Sequence, residues 1–316
     1  MKKSVLALVV IAAAASGGVY YANTEAEKAI KQQLEQANQS YKELAETGEM
    51  PLISMSYKDV SANVLTSTYS IAGLDISVAE MGTVATIENI SAKGMRPNSL
   101  SDKGSATITG AKAAPALLQM LPPQASAFLQ SIALHADYQY EYQDDGQLLF
   151  SQTTRINDEF SLSYNFSLAQ MQQLWQYAKE ISALSQDEQQ QLFTSAEYTE
   201  QVLAKLVSAA LSNGAITIEN NGFIERTFAM TAEQGQTPDL ETVKGMALAN
   251  IAALQPLPQN MKDSLAQFVT TPEKLTLSFN FAQPLQFAKV QSGEMMAQLD
   301  SPEAMIEFAN LQLRAN

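Results

Sequence analysis

Few residues in this 316-residue chain are suited to catalysis or metal binding. The first to consider is the only histidine, His135. It lies two and six residues before Asp137 and Glu141 on a predicted strand, so the three share one face. The pair formed by His135 and Asp137 could transfer protons or bind a metal ion. Metal sites usually need three or four ligands, and no Gly-x-Ser-x-Gly motif supplies a nucleophile. The pattern favours a solvated strand face and predicts no catalytic residue and no metal site.

The remaining chemistry depends on carboxylates, because the chain contains no cysteine. Thiolate zinc sites, redox pairs and cysteine nucleophiles are therefore excluded. Asp144 and Asp145 are explained by a hairpin turn, and Asp158 and Glu159 by a connection. No glycine-rich phosphate loop carries a lysine, so no nucleotide cofactor is predicted. A carboxylate-based hydrolase acting on cell-envelope material stays open as the alternative function, since the chain has 33 Asp and Glu residues.

Large aromatic side chains recur at every second position along neighbouring predicted strands. They are Tyr138, Tyr140, Tyr142, Phe160, Tyr164 and Phe166. A spacing of two places them on one face of a sheet. With adaptable methionines nearby, that face could form an apolar groove that binds an acyl chain or a hydrophobic segment. The other interpretation is that these rings simply fill the core.

The elements that position these residues form blocks of strands followed by blocks of helices. Strands are predicted over 51–111, 132–168, 215–219 and 275–281. Helices are predicted over 24–47, 112–131 and 169–212, from Thr237 toward Val269, and from Ser301 to about 313. The chain lacks regular strand–helix alternation. The pattern therefore predicts an α+β fold in which an antiparallel meandering sheet packs against helices.

Several local signals set expected boundaries. Ser185 and Glu188 form a capping box that opens a helix. Asn213-Gly214 is expected to end a helix. Thr237-Pro238-Asp239 is expected to start one, with Thr237 as the cap. Along 132–142 the alternation predicts one buried face, which includes Tyr138, and one wet face.

The N-terminus carries an export signal: Lys2 and Lys3 precede an uncharged apolar stretch, Ser4 to Ala22. In one interpretation a peptidase cleaves after Ala15. In the other the stretch remains as a single membrane-spanning anchor, since about 17–25 residues suffice to cross a bilayer. The domain organisation is then a signal anchor or signal peptide at 1–22, an amphipathic helix at 23–48 and a periplasmic body at 49–316. A division of the body into two strand–helix subdomains near residue 131 is one alternative.

The charge balance limits the partners of the body. The formal net charge is −14, and two of the 19 basic residues belong to the export segment. An acidic surface repels phosphate backbones, so no nucleic-acid partner is predicted. The inner membrane, contacted through residues 4–22, is the expected lipid partner.

Several segments resemble the YdgA-like bacterial proteins. They are Met1-Lys2-Lys3, Gly17-Gly18-Val19-Tyr20-Tyr21, the polar helix that follows, and Tyr57-Lys58-Asp59-Val60. The downstream Gly222-Phe223-Ile224-Glu225-Arg226 segment is similar to what such proteins carry. The resemblance implies a single-anchor envelope protein of unassigned function with an antiparallel α+β body, and it transfers no catalytic residue.

These observations predict a non-enzymatic envelope protein whose anchored periplasmic domain binds a protein partner or a lipid-type apolar ligand, without a cofactor. Its expected location is the bacterial inner membrane in a single pass, or the soluble periplasm if the leader is cleaved. A purely structural spacer is the third interpretation.

Overall fold

A computed structural model describes residues 23–48, 50–64, 66–94, 100–193, 195–233, 238–255, 257–292 and 301–315. The predicted signal or anchor segment, 1–22, lies outside these residues. Within the described part, eleven strands and eleven helices confirm an α+β fold with antiparallel strand pairing. No helix in this part of the chain is both long and apolar enough to cross a bilayer.

The strands and helices have the following bounds. The strands are β1 (Ile53–Ser56), β2 (Asp59–Asn63), β3 (Thr68–Val78), β4 (Gly82–Lys93), β5 (Lys103–Ala113), β6 (Leu134–Tyr142), β7 (Leu148–Ile156), β8 (Phe160–Ala169), β9 (Ala210–Asn220), β10 (Lys274–Gln286) and β11 (Gln312–Ala315). The helices are α1 (Asn23–Glu46), α2 (Pro115–Leu118), α3 (Pro123–Gln130), α4 (Gln172–Ser182), α5 (Gln186–Phe193), α6 (Ala196–Leu206), α7 (Phe223–Glu233), α8 (Leu240–Ala253), α9 (Gln259–Thr270), α10 (Phe287–Gln291) and α11 (Pro302–Phe308).

The chain divides into two compact units. The first comprises Met1–Glu141 and Trp175–Gln201, and the second comprises Tyr142–Leu174 and Val202–Asn316. In the first unit the strands lie in the order β1-β3-β4-β5-β6, and β2 also pairs with β3. In the second the order is β7-β8-β9-β10-β11.

Helix α1 covers the apolar face of the first sheet. Its buried residues, Ala26, Ile30, Leu34 and Ala37, recur every three or four positions and join a core with Val60, Ile71, Leu74 and Ile87. The helix therefore packs on the first sheet through one apolar stripe. The helix ends just before Gly48, whose φ of +74° is readily adopted by glycine. Asn38 fixes the register of the helix by exchanging two hydrogen bonds with the backbone of Met55.

The prediction for β9 was wrong at its start. Helix α6 ends at Leu206, and the strand begins at Ala210 and runs through Asn213-Gly214. The sequence pair that resembles a helix terminator therefore lies inside a strand. The reason is tertiary: Gly214 is the ladder partner of both Phe166 and Phe279, and its missing side chain leaves room for their rings.

Three other expectations need correction. The last helix begins at the predicted cap, Ser301, but ends at Phe308, and a strand, β11, follows it. The cap of α8 is Asp239, whose carboxylate accepts the amide of Thr242 at 2.9 Å; Thr237 lies outside the described residues. Tyr138 is 42% exposed and is not buried. Its ladder partner is Ala106, so the predicted face of the strand is retained but is incompletely covered.

Candidate functional site

The sheet of the second unit has one apolar face and one polar face. Residues opposite each other in an antiparallel ladder share a face. The ladder therefore groups the apolar positions Phe150, Phe160, Leu162, Tyr164, Phe166, Ile216, Ile218, Leu275, Leu277 and Phe279. The other face carries Ser151, Thr153, Arg155, Ser161, Ser163, Asn165, Thr217, Glu219, Lys274, Thr276 and Arg314. This separation leaves the apolar face as the candidate ligand-binding surface.

Six aromatic rings form a continuous series on the apolar face, which we call the aromatic row: Phe150, Tyr164, Phe166, Phe279, Phe281 and Phe308. Consecutive ring centroids are 6.0, 5.7, 6.2, 5.4 and 5.4 Å apart. These spacings are typical of favourable aromatic pairs. The row crosses from β7 to β10, roughly 14 Å at the usual strand spacing, and continues to α11. It is long enough to contact an extended hydrocarbon chain.

Gly214 holds the row together at its centre. A β-carbon placed on this residue would lie 2.6 Å from the Phe166 ring and 2.7 Å from the Phe279 ring. It would also lie 2.8 Å from the backbone carbonyl oxygen of Asn165. The two rings approach across the middle strand only because the residue between them has no side chain. The contact between Phe166 and Phe279, which links β8 to β10 in the row, therefore depends on a glycine.

The apolar face is not fully covered by helices. Ile216 lies on β9, the middle strand of the second unit, between Tyr164 and Leu277, and it is 38% exposed. Phe308, at the end of the aromatic row, is 39% exposed. A central apolar residue of a five-stranded sheet is normally buried against another layer. This exposure marks an apolar surface that another molecule could cover.

A short chain of uncharged polar groups interrupts the apolar face next to the aromatic row. The Tyr164 hydroxyl donates to the side-chain carbonyl of Gln152. The Gln152 amide donates to the Thr154 hydroxyl at 3.3 Å. Burial raises the pKa of Tyr164, so its hydroxyl stays protonated at neutral pH and acts as a donor. These groups can hydrogen-bond a ligand without charge.

The apolar face is closed at one end by helix α7. Phe160 packs against Phe223, the first residue of α7, with 5.5 Å between ring centroids. The Arg226 guanidinium binds the Glu159 carboxylate at 2.5 and 2.9 Å. Asn220 accepts the amide of Ile224 at 2.8 Å and donates to the Pro272 carbonyl at 2.6 Å. These bonds fix the corner at which β9 leads into α7.

The predicted tyrosines of β6 lie in a different setting. In the first unit, Tyr140 packs edge-on against Trp175 at 5.9 Å and lies over Gly104, where a β-carbon would approach its ring to 2.7 Å. Burial, and then the negative charge of Asp102, raise the pKa of Tyr140. Tyr142 ends β6 and belongs to the second unit by its contacts.

The Asp102 carboxylate connects the start of β5 to helix α4. It accepts the Trp175 indole N–H at 2.9 Å and pairs with the Lys179 ammonium at 2.8 Å. The Lys179 and Trp175 hydrogen bonds lower the pKa of Asp102. The amide of Leu100 also donates to the Ser182 hydroxyl at 2.9 Å. These bonds hold helix α4 to the first sheet, so Asp102, Trp175 and Lys179 have a positioning role.

His135 and Asp137, which the sequence analysis considered as a pair, have separate hydrogen-bond partners. The Nδ1 atom of His135 accepts the amide of Gly110 at 3.4 Å, and Asp137 accepts the Thr107 hydroxyl at 2.9 Å. The described residues include no group of three or more His, Cys, Asp and Glu side chains that could hold a metal ion. The interpretation as a polar strand face accounts for these contacts.

The structure brings together three of the six predicted site residues on the apolar face of the second unit: Phe160, Tyr164 and Phe166. Phe150, Phe279 and Ile216 contribute to the same surface, although they were not among the predicted site residues. Alternation places these residues on an apolar face, but only strand order and register show which strands adjoin. That pairing depends on long-range contacts that periodicity does not encode.

Comparison with known proteins gives one family match. The matching family model is described as "Uncharacterized protein" and covers residues 153–316, which is just over half of the chain. The matched region begins within β7 and includes β8–β11, and with them most of the aromatic row. No curated protein matches the chain. Because this match covers more than half of the chain, the chain belongs to the family described as "Uncharacterized protein".

Proposed function

We propose that this chain is a non-enzymatic envelope protein that binds an acyl-chain ligand along the aromatic row. The main observation that supports this proposal is the 38% exposure of Ile216 in the middle of the second sheet. An exposed apolar strip flanked by rings offers dispersion contacts and apolar burial to a hydrocarbon chain, and needs no reacting group. Phe160, Tyr164 and Phe166 are the predicted residues that this proposal retains.

Apolar burial supplies enough free energy for reversible binding. Removing about 400 Å² of apolar surface from water, counted on protein and ligand together, contributes roughly 10 kcal/mol. Association costs at least about 4 kcal/mol in lost translational and rotational freedom. The remainder, at most about 6 kcal/mol, corresponds to dissociation constants of about 40 μM or weaker. A site of this strength exchanges its ligand rather than retaining it permanently.

The proposed location is the bacterial envelope, with the inner membrane contacted through residues 4–22. The basic-then-apolar start of the chain and the resemblance to the YdgA-like proteins support it. The net charge of −14 disfavours nucleic acid as a partner. Anchoring beside the bilayer would place the apolar face near its source of acyl chains. Fractionation tests this location: an anchored chain is released by detergent, whereas a soluble product starting at Ser16 would reject the anchor.

Photolabelling of the full-length protein tests the binding proposal. The protein is reconstituted in nanodiscs, exposed to a long-chain alkyl diazirine, irradiated and mapped by peptide mass spectrometry. We expect labels on β8, β9 and β10. Ile216→Asp should reduce them several-fold, because a carboxylate on the apolar face would lose its hydration when the ligand binds.

A matched control separates position from charge. Asn165→Asp adds the same charge on the polar face of the neighbouring strand, where Asn165 is exposed, and should leave labelling unchanged. Ile216→Thr keeps a β-branched residue suited to a strand and tests whether any loss comes from misfolding. Labels confined to the α1 region would reject the proposed site. Equal labelling of wild type and a folded Ile216→Asp protein would reject it as well.

A further inference from the structure

We propose that the ligand of the aromatic row carries an uncharged hydrogen-bonding head group, as an acylglycerol or a long-chain alcohol does, rather than a fatty-acid carboxylate or a phosphate. This inference rests on the proposed acyl-chain binding and names the ligand class at the same site. The observation behind it is the polar chain of Tyr164, Gln152 and Thr154 on a face whose other polar strand residue, Asn220, is used at the corner with α7.

The polar chain is positioned to bind a head group while the rings bind the tail. Gln152 is the ladder partner of Tyr164, and Thr154 follows it on the same face of β7. One Gln152 amide proton is used by Thr154, and the Thr154 hydroxyl, which accepts that bond, keeps its own O–H as a donor. Amide and hydroxyl groups can therefore donate to an ester carbonyl or accept from an alcohol.

The distribution of charge excludes an anionic head group as the preferred occupant. No Lys, Arg, Asp or Glu residue of the described strands β7–β11 falls on the apolar face. The cations Arg155, Lys274 and Arg314 lie on the polar face by their register. Arg226, beside the closed end, is bound to Glu159. An anion placed next to Gln152 would give up hydration without gaining an ion pair.

The test compares three photoreactive probes with the same long alkyl chain on the full-length protein in nanodiscs: an alkane, a monoacylglycerol and a fatty acid. We expect the monoacylglycerol to label the peptide containing β8 about fivefold more than the fatty acid at pH 8. That ratio corresponds to about one net hydrogen bond. Replacing Gln152 with Met keeps the side-chain length and removes the amide. It should reduce monoacylglycerol labelling about fivefold and leave alkane labelling unchanged.

Tyr164→Phe provides a second variant, since it keeps the ring in the aromatic row and removes only the hydroxyl. It should weaken monoacylglycerol labelling in the same direction as Gln152→Met. If all three probes label wild type equally and neither variant changes the pattern, the head-group inference is overturned while acyl-chain binding stands. Preference for the fatty acid would overturn it as well. If no probe labels β8–β10, both proposals fail together.

Discussion

The crowded position of Gly214 between two rings of the aromatic row predicts a large effect for a small substitution, Gly214→Ala. The added β-carbon would lie 2.6 Å from the Phe166 ring and 2.7 Å from the Phe279 ring. Either ring can turn away, but the third contact, at 2.8 Å, is the Asn165 carbonyl oxygen in the neighbouring strand. Relieving that contact requires the β8–β9 backbones to separate, because backbone atoms cannot change rotamer.

Overpacking of this kind typically costs about 1–3 kcal/mol, so we expect Gly214→Ala to lower the free energy of unfolding by about 2 kcal/mol. For domains of about 150–250 residues, each kcal/mol shifts Tm by about 2–4 °C. Thermal unfolding followed by circular dichroism should therefore show a loss of roughly 4–8 °C. Alkyl-diazirine labelling of β8 should fall in the same variant, since the two rings can no longer approach across the strand.

A matched glycine gives the control. Gly245 lies within helix α8, and a β-carbon there would have nothing within 4 Å. Gly245→Ala should stabilise the protein by up to about 1 kcal/mol through helix propensity alone. Replacing Phe166 with Leu in the Gly214→Ala background should restore only the part of the lost stability that comes from the Phe166 ring, because the contact with the Asn165 carbonyl oxygen remains. A Gly214→Ala protein with wild-type Tm and wild-type labelling would refute the role assigned to this glycine.

Three further predictions concern the supports of the fold. Asn220→Ala should cost about 3 kcal/mol in urea unfolding, because the Ile224 amide and the Pro272 carbonyl lose their partner; the exposed Asn165→Ala is its control. The pKa of Asp102 is lowered in the folded protein, so its charged carboxylate stabilises the fold at pH values above the ordinary aspartate pKa. That stabilisation is lost as the pH falls through the lowered pKa. Emission from Trp175, the single tryptophan, should report that acid transition, and Asp102→Asn should abolish it. Ser185→Ala should cost about 1 kcal/mol by removing the capping box of α5, and loss of α5 protection in hydrogen exchange measures it.

The parts of the fold that could be predicted from the sequence are those governed by local physics. Helix α1 follows from its buried spacing, and β3 (Thr68–Val78) lies within the 51–111 region predicted to contain strands. The alternation of β3 changes phase at Gly73, since Tyr69 and Ile71 are buried before it and Leu74 after it. Ser185 and Glu188 form the capping box through reciprocal hydrogen bonds. In each case the determining contacts lie close together in sequence.

The parts that could not be predicted depend on distant residues. Asn213-Gly214 has the composition of a helix terminator, yet rings from β8 and β10 require glycine at that point in a strand. Strand β11 is only four residues long, and pairing with β10 rather than propensity defines it. Tyr138 fits the alternation of a buried face, but alternation does not say whether another layer covers the face. Whether another layer covers a face decides whether that face is core or binding surface, and only the structure shows this.

Native mass spectrometry of the full-length protein released from its own membranes shows directly whether an acyl lipid is bound. We expect a co-purifying acyl lipid with an uncharged head group in wild type, its loss in Ile216→Asp and its retention in Asn165→Asp. A wild-type spectrum with no bound lipid, or with the same lipid retained in the folded Ile216→Asp protein, would contradict binding at the apolar face of the second unit.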